Sequence, residues 1–145
     1  MNVITTFRDR QYKKRITFER KVLRELSLNG IKTEFQKLFF PFFQYSLLFQ
    51  DEIQDTCIDI AIEAYLLGAE YSKFGYHGES LDSIKERSAP FEKRLYDTLF
   101  EYWQFWSYTP DHVLESLHMC CDAFVQRWWR EGYENGQRRY RMRLH

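Results

Sequence analysis

The stretch Asp51–Tyr71, DEIQDTCIDIAIEAYLLGAEY, decides the fold. Ile53, Cys57, Ile60, Ala64, Leu67 and Tyr71 recur at three- and four-residue steps, which places them on one face of a helix. Asp51, with Gln54 three residues later, gives the helix a start. Gly75 and Gly78 end it in the loop Phe74–Ser80.

Toward the C-terminus, Ser83 and Glu86 have the spacing to cap a fourth element. Pro90 is placed in the first turn of a long helix that runs to about Tyr108. Thr109-Pro110-Asp111 then combines a cap, a first-turn proline and a carboxylate at the positive dipole end. Val113, Leu117, Cys121, Phe124 and Trp128 form the apolar stripe of the helix that follows. Gly132 and Gly136 weaken its end, and residues 137–145 read as a basic tail.

Toward the N-terminus, Thr6-Phe7-Arg8-Asp9 has capping-box spacing. Tyr12, Ile16, Glu19, Leu23 and Leu26 continue in helical steps to a stop at Asn29-Gly30. A second helix over about Thr33–Phe40 buries Phe35, Leu38 and Phe39, and Pro41 breaks it. Phe42–Phe49 is apolar on every side and reads as a short helix or a buried connector. No alternating β-branched run is bounded by turns. The expectation is one all-α domain over residues 1–145, a compact bundle of about five helices.

Composition narrows the class without assigning a chemistry. The 145 residues carry 21 Lys+Arg and 21 Asp+Glu, and 19% are aromatic. That excludes a disordered chain, a collagen-like chain and a generally polybasic nucleic-acid binder. The neutrality is a cancellation. Residues 1–40 hold 10 basic and 4 acidic groups, residues 41–83 hold 1 and 8, residues 84–125 hold 4 and 7, and residues 126–145 hold 6 and 2. Met1–Arg10 has no apolar core of a signal peptide, and the longest charge-free run, Leu38–Gln50, is 13 residues, against the ~18 or more of a spanning helix. Cys57, Cys120 and Cys121 are odd in number, two of them adjacent, which suits reduced thiols in the cytoplasm. No membrane association is expected.

Four constellations are candidates for function. Asp59 and Glu63 belong to a carboxylate series with Asp55 on the third helix, and His77 and Glu79 follow in the loop. Glu115 and His118 have the i, i+3 spacing of di-iron carboxylate bundles, although those sites need two such pairs and only one occurs. Together, Asp59, Glu63, His77, Glu79, Glu115 and His118 would suit a divalent metal; the plainer reading is a solvated acidic face, and no cofactor is expected. Cys120 and Cys121 read as structural, about 100° apart on a helix. The second group is aromatic. Tyr96, Phe100, Trp103 and Trp106 leave their helix apolar most of the way round, and Trp128-Trp129 point in different directions. Such surface is covered either by a thick core or by a second subunit. The third is basic: Arg138, Arg139, Arg141 and Arg143, with Lys13, Lys14 and Arg15, would present cations to phosphates. The acidic middle opposes a long polyanion, so a tail docked on an acidic surface accounts for the pattern equally well. The fourth, Tyr76, His77, Glu79 and Ser80 between two glycines, reads as a turn. No phosphate-cradling or nucleophile-elbow motif is present.

The run Cys57–Gly68, followed by Phe74–Ser80, resembles the YbaK-type family of small proteins of Bacillus and its relatives, a domain of unknown function distinct from the aminoacyl-tRNA deacylase of the same name. Leu23–Leu28 and Trp128-Trp129 share the likeness. The resemblance implies a full-length, bacterial, cytosolic single-domain protein, and brings no activity or catalytic residue. The leading expectation is a non-enzymatic interaction or regulatory module, homodimeric or partner-binding through its aromatic helices. A carboxylate/His metal enzyme or sensor is the alternative, and a nucleic-acid binder using both basic ends is the third.

Overall fold

The computed structural model describes residues 10, 13–14, 17–46 and 48–142. Five helices pack together: α1 (residues 17–23), α2 (Leu28–Phe39), α3 (Gln50–Tyr76), α4 (Leu81–Phe105) and α5 (Leu114–Arg141). Short 3-10 turns occupy Phe40–Tyr45 and Asp111–Val113. Among the described residues there is no strand, and no described helix is long and apolar enough to cross a membrane. The expected capping box at Thr6–Asp9, and Tyr12 and Ile16, lie outside the described residues.

The helix starts differ from the sequence reading for local reasons. Asn29-Gly30 does not stop a helix; it lies in the first turn of α2, because Ser27 Oγ accepts from Gly30 N at 3.0 Å and caps that helix. Likewise Ser80, not Ser83, caps α4, its hydroxyl accepting from Ser83 N. α4 then runs unbroken past Pro90, which sits inside it rather than in a first turn. An interior proline costs about 3 kcal/mol. Packing on both sides of it, by Ile84 and Ser88 before and Glu92, Leu99 and Trp103 after, holds the two halves as one helix. α3 keeps Phe74, Gly75 and Tyr76 helical, and the chain reverses at Gly78, whose φ of +100° suits a residue without Cβ.

α3 and α5 form the axis of the bundle and run parallel, since Tyr65 meets Gly132, Ser72 meets Gly136 and Gly75 meets Gln137. A Cβ on Gly68 would fall on the Trp129 carbonyl oxygen, and one on Gly132 on the Tyr65 carbonyl oxygen. The backbones therefore touch, as small residues four apart permit. Gly132 and Gly136 do not end α5; they are the reason it can lie against α3. α4 returns antiparallel, with Ser88 opposite Trp129 and Asp97 opposite His118.

Toward the N-termini of α3 and α5, side chains from α2 and α4 fill the space instead. Phe39 stacks on Trp103 at 5.1 Å and meets Phe124 edge-on at 5.7 Å. Phe35, Phe39, Cys57, Leu99, Trp103, Leu117, Cys121 and Phe124 are all fully buried there. Polar groups are carried into the α4–α5 contact: Ser88 Oγ accepts from Trp129 Nε1 at 2.9 Å, and a carboxylate lies beside it. Glu92 is buried and pairs with Lys85, which also donates to Gln126 and lies 4.2 Å above the Trp129 ring.

Candidate functional site

The end of the bundle where α3 and α5 begin and α4 finishes carries the three most exposed large apolar side chains among the described residues, Leu48, Phe105 and Tyr108. α4 stops at Trp106, where Ser107 Oγ donates to the Trp103 carbonyl and bonds Thr109 Oγ1. The chain then turns, and Tyr108 N donates to Tyr45 O at 2.8 Å, tying this loop to the α2–α3 connector. Phe49 packs on Trp106 at 4.8 Å, and Phe105 meets Trp106 edge-on at 4.9 Å. Around these rings Leu48 is 82%, Phe105 77% and Tyr108 86% exposed. A hollow of about 270 Å³ opens between Tyr45, Leu48, Phe49, Trp106 and Tyr108. The patch offers protruding apolar side chains beside an apolar recess.

Of the aromatic residues expected at an interface, only Trp106 lies in this patch. Trp103, Trp128 and Trp129 are 0%, 4% and 2% exposed; the chain's own helices cover them, so they are core. Tyr96 and Phe100 are half-buried and hold the His118 ring edge-on at 5.4 and 4.9 Å. Burial and the charges of Asp122 and Asp97 push the Tyr96 hydroxyl up. Sequence reasoning did not single out Leu48 and Tyr108 as surface. The signal for Phe105 was present: it follows Trp103 by two residues, about 200° round the helix, and so faces away from the core.

The six expected metal-site residues are not brought together. Asp59, Glu63 and Glu115 are exposed on their helices. His77 sits beyond α3 against Tyr76. Glu79 accepts from Arg87 at 2.5 Å and from Ser83 at 2.8 Å. His118 pairs with Asp97 at 3.2 Å. Asp97 also takes Lys93, and these hydrogen bonds, Lys93 first and His118 second, hold its carboxyl below the ordinary range. Among the described residues no three His, Cys, Asp or Glu side chains converge to hold a metal ion. Burial pushes the Cys57, Cys120 and Cys121 thiols up, which keeps them protonated and weakly nucleophilic.

The basic residues do converge. Arg138, Arg139 and Arg141 belong to the last turns of α5 rather than to a tail, and Arg143 lies outside the described residues. Arg139 Nη1 donates to the Lys21 carbonyl at 2.7 Å and reaches Glu25 Oε1 at 3.4 Å, pinning α1 to α5. The two basic ends of the chain thus share one face.

Over 146 aligned residues the sequence is 32% identical to the "Uncharacterized protein YbaK" of Bacillus subtilis (strain 168), with 99% of each chain covered. No solved structure matches. Residues 1–145 match the family described as "Protein of unknown function (DUF2521)". With that match running from end to end and the helical bundle common ground for both readings, the chain belongs to the DUF2521 family.

Proposed function

We propose that this protein is a non-enzymatic interaction module that pairs with a second copy of itself through the aromatic end of the bundle. The observation that carries this is the exposure of Leu48, Phe105 and Tyr108 around the recess floored by Phe49 and Trp106. A surface holding both knobs and a recess is self-complementary: a two-fold axis seats the knobs of each copy in the recess of the other. Burial of such rings supplies the association free energy, at roughly 25 cal/mol per Å² of apolar surface before the entropic cost of association.

Sedimentation at micromolar to submillimolar concentration tests the reading. The wild type should form dimers, and the double change Leu48→Glu with Tyr108→Glu should be monomeric with an unchanged circular dichroism spectrum. A wild type that stays monomeric throughout rejects the pairing. Salt adds a second measure. Asp51, Glu52 and Glu101 are exposed and close to the patch in sequence, so pairing two copies brings like charges together and should strengthen with added salt. A basic partner protein would show the reverse dependence.

A further inference from the structure

Where α3 and α5 lie closest, their flank is shallow, because Ala69, Ser72 and Gly136 offer little side chain to fill it. Lys13 and Lys14, with Thr17, Phe18, Lys21 and Val22 of α1, cover that flank. Long side chains laid over a smooth seam leave a groove of about 330 Å³. Its floor is apolar: Val22, Ala69 and Gly136 are buried, and Phe18 and Tyr140 form walls. Lys13 and Lys14 are exposed at the rim, and Lys21 is half-buried beside them. Lys13, Lys14 and Lys21 form no ion pair with any described residue. Arg139 is held by its bond to the Lys21 carbonyl and serves to position α1.

An apolar floor with unpaired amines at its edge is complementary to a molecule with an apolar body and one anionic head. The volume lies at the small end of the ~300–1,000 Å³ range of ligand sites, too small for a lipid with two chains. A polyanion is opposed at the adjoining hollow, where Glu19, Glu63 and Glu70 outnumber Lys14 and Lys73. We propose that this groove binds a medium-chain fatty acid, with its acyl chain on Val22, Ala69 and Gly136 and its carboxylate between the ammonium groups of Lys14, Lys21 and Lys13. Charge-assisted hydrogen bonds hold the head, and burial of methylenes holds the tail. The site lies about 20 residues of α3 from the aromatic patch, roughly 30 Å at the helical rise, so it is independent of self-association.

Calorimetric titration of the whole protein with decanoate, below its micellar concentration, tests the proposal. Binding should be one to one and weaken with salt. Decanol, which lacks the charge, and acetate, which lacks the chain, should each bind roughly tenfold or more weakly, as expected for the loss of a charged hydrogen bond or a buried chain. Lys14→Glu with Lys21→Glu should weaken decanoate by a similar factor or more. Thr17→Trp, which places a ring over the groove from an exposed position, should abolish binding while the circular dichroism spectrum stays unchanged. Leu48→Glu with Tyr108→Glu should bind decanoate as the wild type does. Absence of decanoate binding by the folded wild type overturns the proposal, and so does equal binding of decanoate and acetate, or wild-type affinity in both groove variants. Retention on single-stranded RNA that is lost with the two lysine changes, without decanoate binding, overturns it in favour of a nucleic-acid surface.

Discussion

Toward their C-termini, α3 and α5 meet backbone to backbone at Gly68 and Gly132; toward their N-termini, the bundle is filled by rings from α2 and α4, with Phe39 between Trp103 and Phe124. Both halves are filled, yet they are filled differently. In the close half, shape is set by the absence of side chains, and small additions meet backbone that cannot rotate away. In the aromatic half, shape is set by large rings, and deletions leave voids. Close packing by backbone fixes how near α3 and α5 lie; packing by rings fixes how α2 and α4 sit on the rest of the bundle.

The largest expected effect comes from adding bulk to the close half. Gly132→Leu drives a side chain into the Tyr65 carbonyl, and no rotamer change relieves it. A loss above about 4–5 kcal/mol is expected, enough to abolish the cooperative urea transition. A stable, folded Gly132→Leu protein would show that the seam can open. In the aromatic half, Trp103→Ala should cost about 3–5 kcal/mol through the cavity it leaves, read as a lowered urea midpoint. A loss of less than about 1 kcal/mol there would mean that the surrounding rings collapse to fill the space.

Between these lies the polar contact in the close half. Lys85→Met leaves the buried Glu92 carboxylate without its cation. Breaking a buried pair from one side costs about 3–5 kcal/mol, and because Lys85 is 31% exposed the lower end is expected. Lys85→Met combined with Glu92→Met should recover much of the loss, which separates charge from packing. The smallest effect is electrostatic and lies on the surface. The Asp97 carboxyl is held below its ordinary value of 3.8 by Lys93 and His118. Its contribution is therefore present above that pH and is lost as the pH falls through the lowered value. Asp97→Asn should flatten the acid limb of the stability profile slightly and leave neutral pH almost unchanged. A steeper acid limb in the variant would contradict the assignment.

Much of this was legible in the linear chain. The three- and four-residue recurrence from Ile53 to Tyr71 and from Leu117 to Trp128 marks faces that the structure buries, because a helix repeats every 3.6 residues whatever its partners are. Ser80 is legible as a cap after the Gly78 turn, whereas Ser27 is masked in the sequence by the stop signal of Asn29-Gly30. A cap is chosen by where the following side chains find packing, and that information is not local. The aromatic interface was misplaced for a related reason. Trp128 and Trp129 point about 100° apart, and both faces of α5 are nonetheless covered, one by α2 and α3 and the other by α4. The candidate metal residues share spacings that look convergent, but Glu115 and His118 lie on α5 and Asp59 and Glu63 on the exposed side of α3.

Local sequence by itself determined that the chain is helical, roughly where its helices lie, and that its charges separate into basic ends and an acidic middle. Those properties follow from backbone periodicity, turn chemistry and composition. Only the tertiary structure decided that Gly132 and Gly136 join two helices instead of ending one, and that most tryptophans are core while Leu48, Phe105 and Tyr108 face outward. It also decided that Lys13, Lys14 and Lys21 border one groove. Each of these depends on which surface comes to lie opposite, and a glycine, a tryptophan or a lysine carries no record of its future neighbour.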